Sequence, residues 1–109
     1  MVFQGEIIRV SLDPTLGHEP KKTRPVLVVS ANSFNMHSSL TYVAPITSVN
    51  NGYPLHLSID ENDAGVEGFV CLEQMRSIDL NARPYKKLGT LSSETLDNIL
   101  DYFPAIFDL

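Results

Sequence analysis

Arg24 stands directly before Pro25, at the mouth of the most apolar run of the chain, Val26-Leu27-Val28-Val29. A polar loop carrying Gly17-His18-Glu19 leads into it. Thr47-Ser48 closes a second apolar segment at residues 43–46, and Glu73-Gln74, Arg76 and Asp79 punctuate a third at 69–78. These are polar residues at strand ends. A guanidinium presents a planar fork of donors, a hydroxyl both donates and accepts, and imidazole and carboxylate exchange protons. By type and place alone, a solvated or ion-paired surface arginine is the commoner role for Arg24. Thr47 reads as an ordinary strand residue by the same standard.

Other chemistries leave no trace. There is no Gly-rich phosphate loop, no paired His at helical spacing and no nucleophile elbow. His18, His37 and His56 fall in different segments, so a metal site would need His18 and His37 to converge with a carboxylate, and none is expected. His56 lies mid-strand between Leu55 and Leu57 and suits a surface or packed role. Cys71 is the only cysteine, which excludes an internal disulfide and a cysteine-based metal cluster.

The elements that must hold these residues are mostly strands. Residues 5–12 alternate, with Ile7, Ile8, Val10 and Leu12 apolar, until Asp13-Pro14 breaks the ladder. Residues 25–30 form a β-branched run suited to a strand buried on both faces. Residues 32–39 read as a connector, and 41–47 as a strand that Pro45 demotes to an edge or bulged one. Asn50-Asn51-Gly52 is a turn signal. Strands follow at 55–59, within 69–78, and at 87–91. About six short strands, with connectors too short for crossover helices, predict an antiparallel barrel or roll. Leu96, Ile99, Leu100, Phe103, Ile106 and Phe107 then recur at helical spacing, with Ser92 as N-cap and a break expected at Pro104. That helix is expected to seal one end of the barrel.

The chain has 109 residues. That length suits one domain whose folding buries about two-thirds of its surface. Net charge is −5, which argues against a protein held to nucleic acid by bulk electrostatics. A local basic face would have to come from Lys21, Lys22 and Arg24, with Arg83, Lys86 and Lys87 as a second cluster. The N-terminus lacks a basic, apolar leader, and no apolar run approaches the roughly 20 residues that cross a bilayer. A reducing cytoplasm fits the single cysteine. Taken from the residues alone, the sequence describes an acidic, mainly β domain with a capping helix, and stops short of an activity.

The stretch Gly5-Glu6-Ile7, Leu12-Asp13-Pro14-Thr15-Leu16-Gly17-His18-Glu19 and Thr23-Arg24-Pro25-Val26-Leu27-Val28-Val29-Ser30 resembles the MazF/PemK (Kid) family of toxin endoribonucleases. The likeness continues through Phe34-Asn35, Val43-Ala44-Pro45-Ile46-Thr47-Ser48, Glu73-Gln74-Met75-Arg76-Ser77-Ile78-Asp79 and Lys87-Leu88-Gly89-Thr90-Leu91-Ser92. It covers residues 1–109 as a single domain, with strands over about 5–91 and a helix over about 92–108. The resemblance implies an SH3-like antiparallel barrel with a C-terminal helix, acting as a homodimer and neutralised by a cognate antitoxin.

The activity so implied is sequence-specific cleavage of single-stranded RNA, without metal or cofactor, by attack of the 2′-hydroxyl on the adjacent phosphorus. Arg24 would stabilise the transition state and Thr47 would place the scissile phosphate, with His18 and Glu73 supporting. Lys21, Lys22, Ser48, Gln74, Arg83, Lys86 and Lys87 would contact RNA. Kid-like members carry an arginine two residues before the acid, where this chain has Cys71. Other readings are a gyrase-binding toxin like CcdB, whose Trp-Gly-Ile tail is missing here, and a catalytically silent SH3-like module.

Overall fold

Alternating Ile, Val and Leu over short stretches produces strands β1 (Glu6–Val10), β2 (Arg24–Val28), β3 (Leu40–Thr47), β4 (His56–Ser58), β5 (Phe69–Cys71), β6 (Arg76–Asp79) and β7 (Tyr85–Thr90). Three helices, α1 (Asn32–His37), α2 (Ser93–Leu100) and α3 (Phe103–Phe107), and a 3₁₀ turn at Leu72–Gln74 complete the chain. This is a computed structural model that describes residues 1–12, 22–59 and 62–107.

The strands form one antiparallel sheet in the order β4-β5-β3-β2-β1-β7, with β6 also pairing β3. Mainly β with C-terminal helix is therefore the architecture. Among the described residues the outer strands β4 and β7 do not pair with each other, so the sheet curls without closing into a hydrogen-bonded ring. Both its faces are packed instead. Ile7, Leu27, Ala44, Ile46 and Val70 form one core with Leu91 and Ile99, while Ile8, Val10, Val26, Val28, Val43 and Ile78 form the other. Two-sided burial is why residues 26–29 carry no polar interruption.

Pro45 does not sit on an edge. It lies in β3, the strand with most partners, opposite Val26. The Tyr42 carbonyl accepts a 3.0 Å bond from Val29 N–H, so even-numbered residues of β3 turn their backbone groups toward β2. Pro45 therefore faces the other side, where the partner changes from β6, last paired at Val43↔Arg76, to β5, first paired at Ile46↔Val70. The missing N–H falls in that gap. The same gap splits the predicted strand at 69–78 into β5, the 3₁₀ turn and β6.

Residues 32–37, expected as a connector, are helical. What holds α1 is side-chain bonding that periodicity does not register: buried Asn35 donates Nδ2 to the Ser30 carbonyl at 3.1 Å and accepts from the Ser30 hydroxyl. The C-terminal pattern is two helices instead of one. Ser92 caps α2, its Oγ accepting from Thr95 N–H at 3.2 Å. Asp101-Tyr102 interrupts the helix ahead of Pro104, whose ring and missing N–H disfavour continuation. Ile99, 2% exposed, joins the Ile7–Leu27 core and contributes on the order of 1.5–3 kcal/mol. Phe107, grouped with that face by its spacing, is 70% exposed.

Candidate active site

The β2–β3 register runs Val28↔Val43, Leu27↔Ala44, Val26↔Pro45. The pairing ends there, with Arg24 two residues before Val26 at the start of β2 and Thr47 two residues after Pro45 at the end of β3. Thr47 is in turn paired with Phe69 of β5, and Phe69 with Ser58 of β4. Residues directly opposite one another in an antiparallel sheet share a face and lie about 4.5–5.5 Å apart. Thr47, Phe69 and Ser58 thus form one row across three strands, with Arg24 at the adjoining end of β2. The next row on the same face carries Val26, Pro45, Cys71 and His56, with His56↔Cys71 a direct pair. The topology brings Arg24 and Thr47 together although 22 positions separate them in the sequence.

Arg24 is exposed at the solvent end of β2, and among the described residues no carboxylate pairs with it. A guanidinium carries five N–H donors suited to an anion. Thr47 is half-buried, and its Oγ1 accepts the Val49 N–H at 3.2 Å. That bond fixes the hydroxyl while leaving its proton free to donate outward. Gly68 secures the backbone beneath: its φ is +130°, and a Cβ there would lie 2.2 Å from the Thr47 carbonyl oxygen. Only glycine allows β5 this close to Thr47.

Glu73, in the 3₁₀ turn, does not tie to Arg76. Its Oε1 meets Nε2 of His56, whose side chain is 1% exposed while that of Glu73 is 34% exposed. Tyr53 packs edge-on against the imidazole at 5.1 Å, and His56 Nδ1 is buried with no hydrogen-bond partner among the described residues. His56 is the site residue that sequence reasoning undervalued. The available signal was parity: on a strand with Leu55 and Leu57 turned to one core, His56 must face the other way, toward the residues across from it. Cys71 is buried, and desolvation, then the neighbouring Glu73 charge, raises its thiol above the ordinary range.

The remaining candidates divide. His18 and Lys21 lie outside the described residues. Lys22 is exposed two residues before Arg24, and Ser48 and Gln74 are exposed beside Thr47 and Glu73. The second basic cluster lies across the sheet, around β7, and two of its members serve the fold. Arg83 Nη1 donates to the Ser11 carbonyl at 2.6 Å. Lys87 reaches Glu6 at 3.4 Å, the Met1 carbonyl at 2.9 Å and the Phe3 ring at 5.4 Å. Lys86 is exposed opposite Arg9. His37 turns its Nδ1 to the Ser33 carbonyl at 2.8 Å, within its own helix.

Known proteins resemble this chain in sequence and in fold. The chain is 39% identical over 108 residues to endoribonuclease PemK of Escherichia coli, covering 94% of this chain and 80% of that one. Its fold matches MazF of Deinococcus radiodurans with a TM-score of 0.81 at 26% identity, over 99% of this chain and 97% of that one. A MazE–MazF complex from the same organism gives a TM-score of 0.82 at 24% identity, over 99% and 97%, and shows the shared fold. The family model for PemK-like, MazF-like toxins of type II toxin–antitoxin systems matches residues 3–107, and the chain belongs to that family.

Proposed function

We propose that this endoribonuclease toxin cuts single-stranded RNA at the strand ends carrying Arg24 and Thr47, without a metal ion, and is neutralised by a cognate antitoxin. The observation that supports the reading is the β2–β3 pairing, which ends at Val26↔Pro45 and leaves Arg24 and Thr47 at the same end of two neighbouring strands. Relatives named endoribonuclease, and a MazF fold solved together with MazE, support the activity and the partner.

Intramolecular attack by a 2′-hydroxyl needs a base for its proton, an acid for the departing 5′-oxygen, and donors for a phosphorane carrying extra negative charge. Arg24 supplies the donors: its planar fork matches two non-bridging oxygens of the phosphate. Thr47 donates to the phosphate and fixes its position. Glu73 and His18 exchange the two protons. A cavity of about 270 Å³ lined by Tyr53, Pro54, Leu55 and Glu73 offers an apolar shelf on which an unpaired base can stack. Lys22, Lys21, Ser48 and Gln74 flank the path of the strand.

The acting unit in this reading is a cytoplasmic homodimer of one-domain chains covering residues 1–109, since a single small sheet offers little concave surface. The test is incubation of the purified protein with single-stranded and duplex RNA in EDTA, with fragment ends read by mass spectrometry. Cleavage of single strands to a 2′,3′-cyclic phosphate or 3′-phosphate and a 5′-hydroxyl is expected. Loss of activity in EDTA with recovery in Mg²⁺ would overturn the metal-free mechanism, and no cleavage at all would overturn the site.

A further inference from the structure

His56, Cys71 and Glu73 bring an imidazole nitrogen, a thiol sulfur and a carboxylate oxygen within 4.8 Å of one another. The convergence is built from three sources: the β4–β5 pairing places His56 opposite Cys71, and the 3₁₀ turn that follows β5 carries Glu73 back onto the same face. From the sequence no metal site is expected, and one would have called on His18 and His37 instead of His56. A four-coordinate ion bound at about 2.0 Å by nitrogen and oxygen and about 2.3 Å by sulfur holds its ligands roughly 3.3–3.6 Å apart.

The donor set selects its ion. Thiolate plus imidazole favours Zn²⁺ and its borderline-soft neighbours over Mg²⁺ or Ca²⁺, which take oxygen ligands. Burial of His56 and Cys71 on one side and exposure of Glu73 on the other leave one direction open, so three protein donors and a water complete four-coordination. Neither buried group is otherwise well satisfied. The Cys71 thiol has only a 3.9 Å contact to the Phe69 carbonyl, and His56 Nδ1 has no partner among the described residues.

We propose that His56, Cys71 and Glu73 form a binding site for Zn²⁺, and that its occupancy switches off RNA cleavage by withdrawing the Glu73 carboxylate. Binding is a ligand exchange without redox change: the Sγ–H bond breaks, its proton passes to buffer, and an Sγ–Zn bond forms. The inhibitory half rests on Glu73 serving the cleavage reaction; the binding half does not.

Titration of the whole protein with Co²⁺, a spectroscopic stand-in for Zn²⁺, tests the two halves separately. The expected result is a thiolate-to-cobalt charge-transfer band with the visible absorption of a four-coordinate ion, displaced by Zn²⁺. Cys71→Ser abolishes the charge-transfer band and weakens binding by an order of magnitude or more, while His37→Ala changes neither. Zn²⁺ over the same concentration range suppresses RNA cleavage by the wild type, and Cys71→Ser resists it. Absence of the band in the wild type, or its persistence in Cys71→Ser, overturns the site, and the wild-type spectrum decides the matter even if the variant misfolds. Full cleavage activity in Zn²⁺-loaded protein overturns the inhibition. A wild type that binds Co²⁺ as described but never cuts RNA leaves the metal site standing and removes the cleavage reading instead.

Discussion

Gly68 and Thr47 approach so closely that a single added methyl on the glycine would lie 2.2 Å from the threonine carbonyl oxygen. Thr47 is thereby fixed from two sides, by β5 below and by its own side-chain bond to Val49 above. Gly68→Ala must either push β5 away or move the Thr47 backbone, and it also strains a φ of +130°. A stability loss of about 1–3 kcal/mol follows from the backbone conformation. A shift of the order of 1 Å at the phosphate-placing hydroxyl costs roughly a hundredfold in rate. Urea unfolding and RNA-cleavage rates measured on the same preparation check both, and an unchanged rate would show that Thr47 need not be placed so tightly.

Arg24 is exposed at a strand end and free of carboxylate partners among the described residues, so its removal should leave the fold intact. Arg24→Ala is expected to lose about a hundred- to a thousandfold in cleavage rate, the scale for one preorganised transition-state donor. Arg24→Lys should recover only part of this, because an ammonium cannot form the two-pronged contact. Wild-type rates in a normally folded alanine variant would sink the assignment.

Charge predicts how binding responds to salt. The chain carries −5 overall, and Arg83 and Lys87 are engaged with Ser11, Glu6 and the N-terminal segment. Only a few cations near Arg24 remain to neutralise phosphates, and each contact with a single strand contributes about −0.7 to the log–log slope. A slope of roughly −2 to −3 is expected. Lys22→Ala should flatten it, whereas Lys87→Ala should lower the unfolding midpoint and leave the slope unchanged. Fluorescence anisotropy across a salt series, paired with thermal melts, separates the two.

The Cys71 thiol is raised first by burial and then by the charge of Glu73. Its thiolate fraction at neutral pH therefore lies below that of a free cysteine, whose pKa is about 8.5. Alkylation by iodoacetamide should be slow, and Glu73→Gln, which removes one cause, should speed it. The sign for stability follows: a folded-state pKa above the unfolded one gives a contribution fully present below about pH 8.5 and lost as pH rises through the raised value. Unfolding midpoints that climb between pH 8 and 10 would contradict this.

Much of the molecule is legible without coordinates. Alternation located β1, an unbroken β-branched run located β2 and the two-faced burial of residues 26–29, and Ser92 and Pro104 marked where the terminal helix starts and breaks. These are local signals, carried by neighbours in the chain. Arg24, Thr47 and Glu73 could be named from their strand ends and from blocks of residue types in order. What they could not reveal is which of them meet. Arg24 and Thr47 end up at the same end of neighbouring strands, and His56 faces Cys71, because of register between strands distant in sequence, and a shift of one residue would turn every one of those side chains to the opposite core. Pro45 misled for the same reason, since whether a missing N–H costs anything depends on whether a partner strand lies opposite it. Local periodicity fixes what a segment becomes. Only packing of the assembled sheet decided that a histidine flanked by leucines would share a face with the one cysteine and the acid beside it.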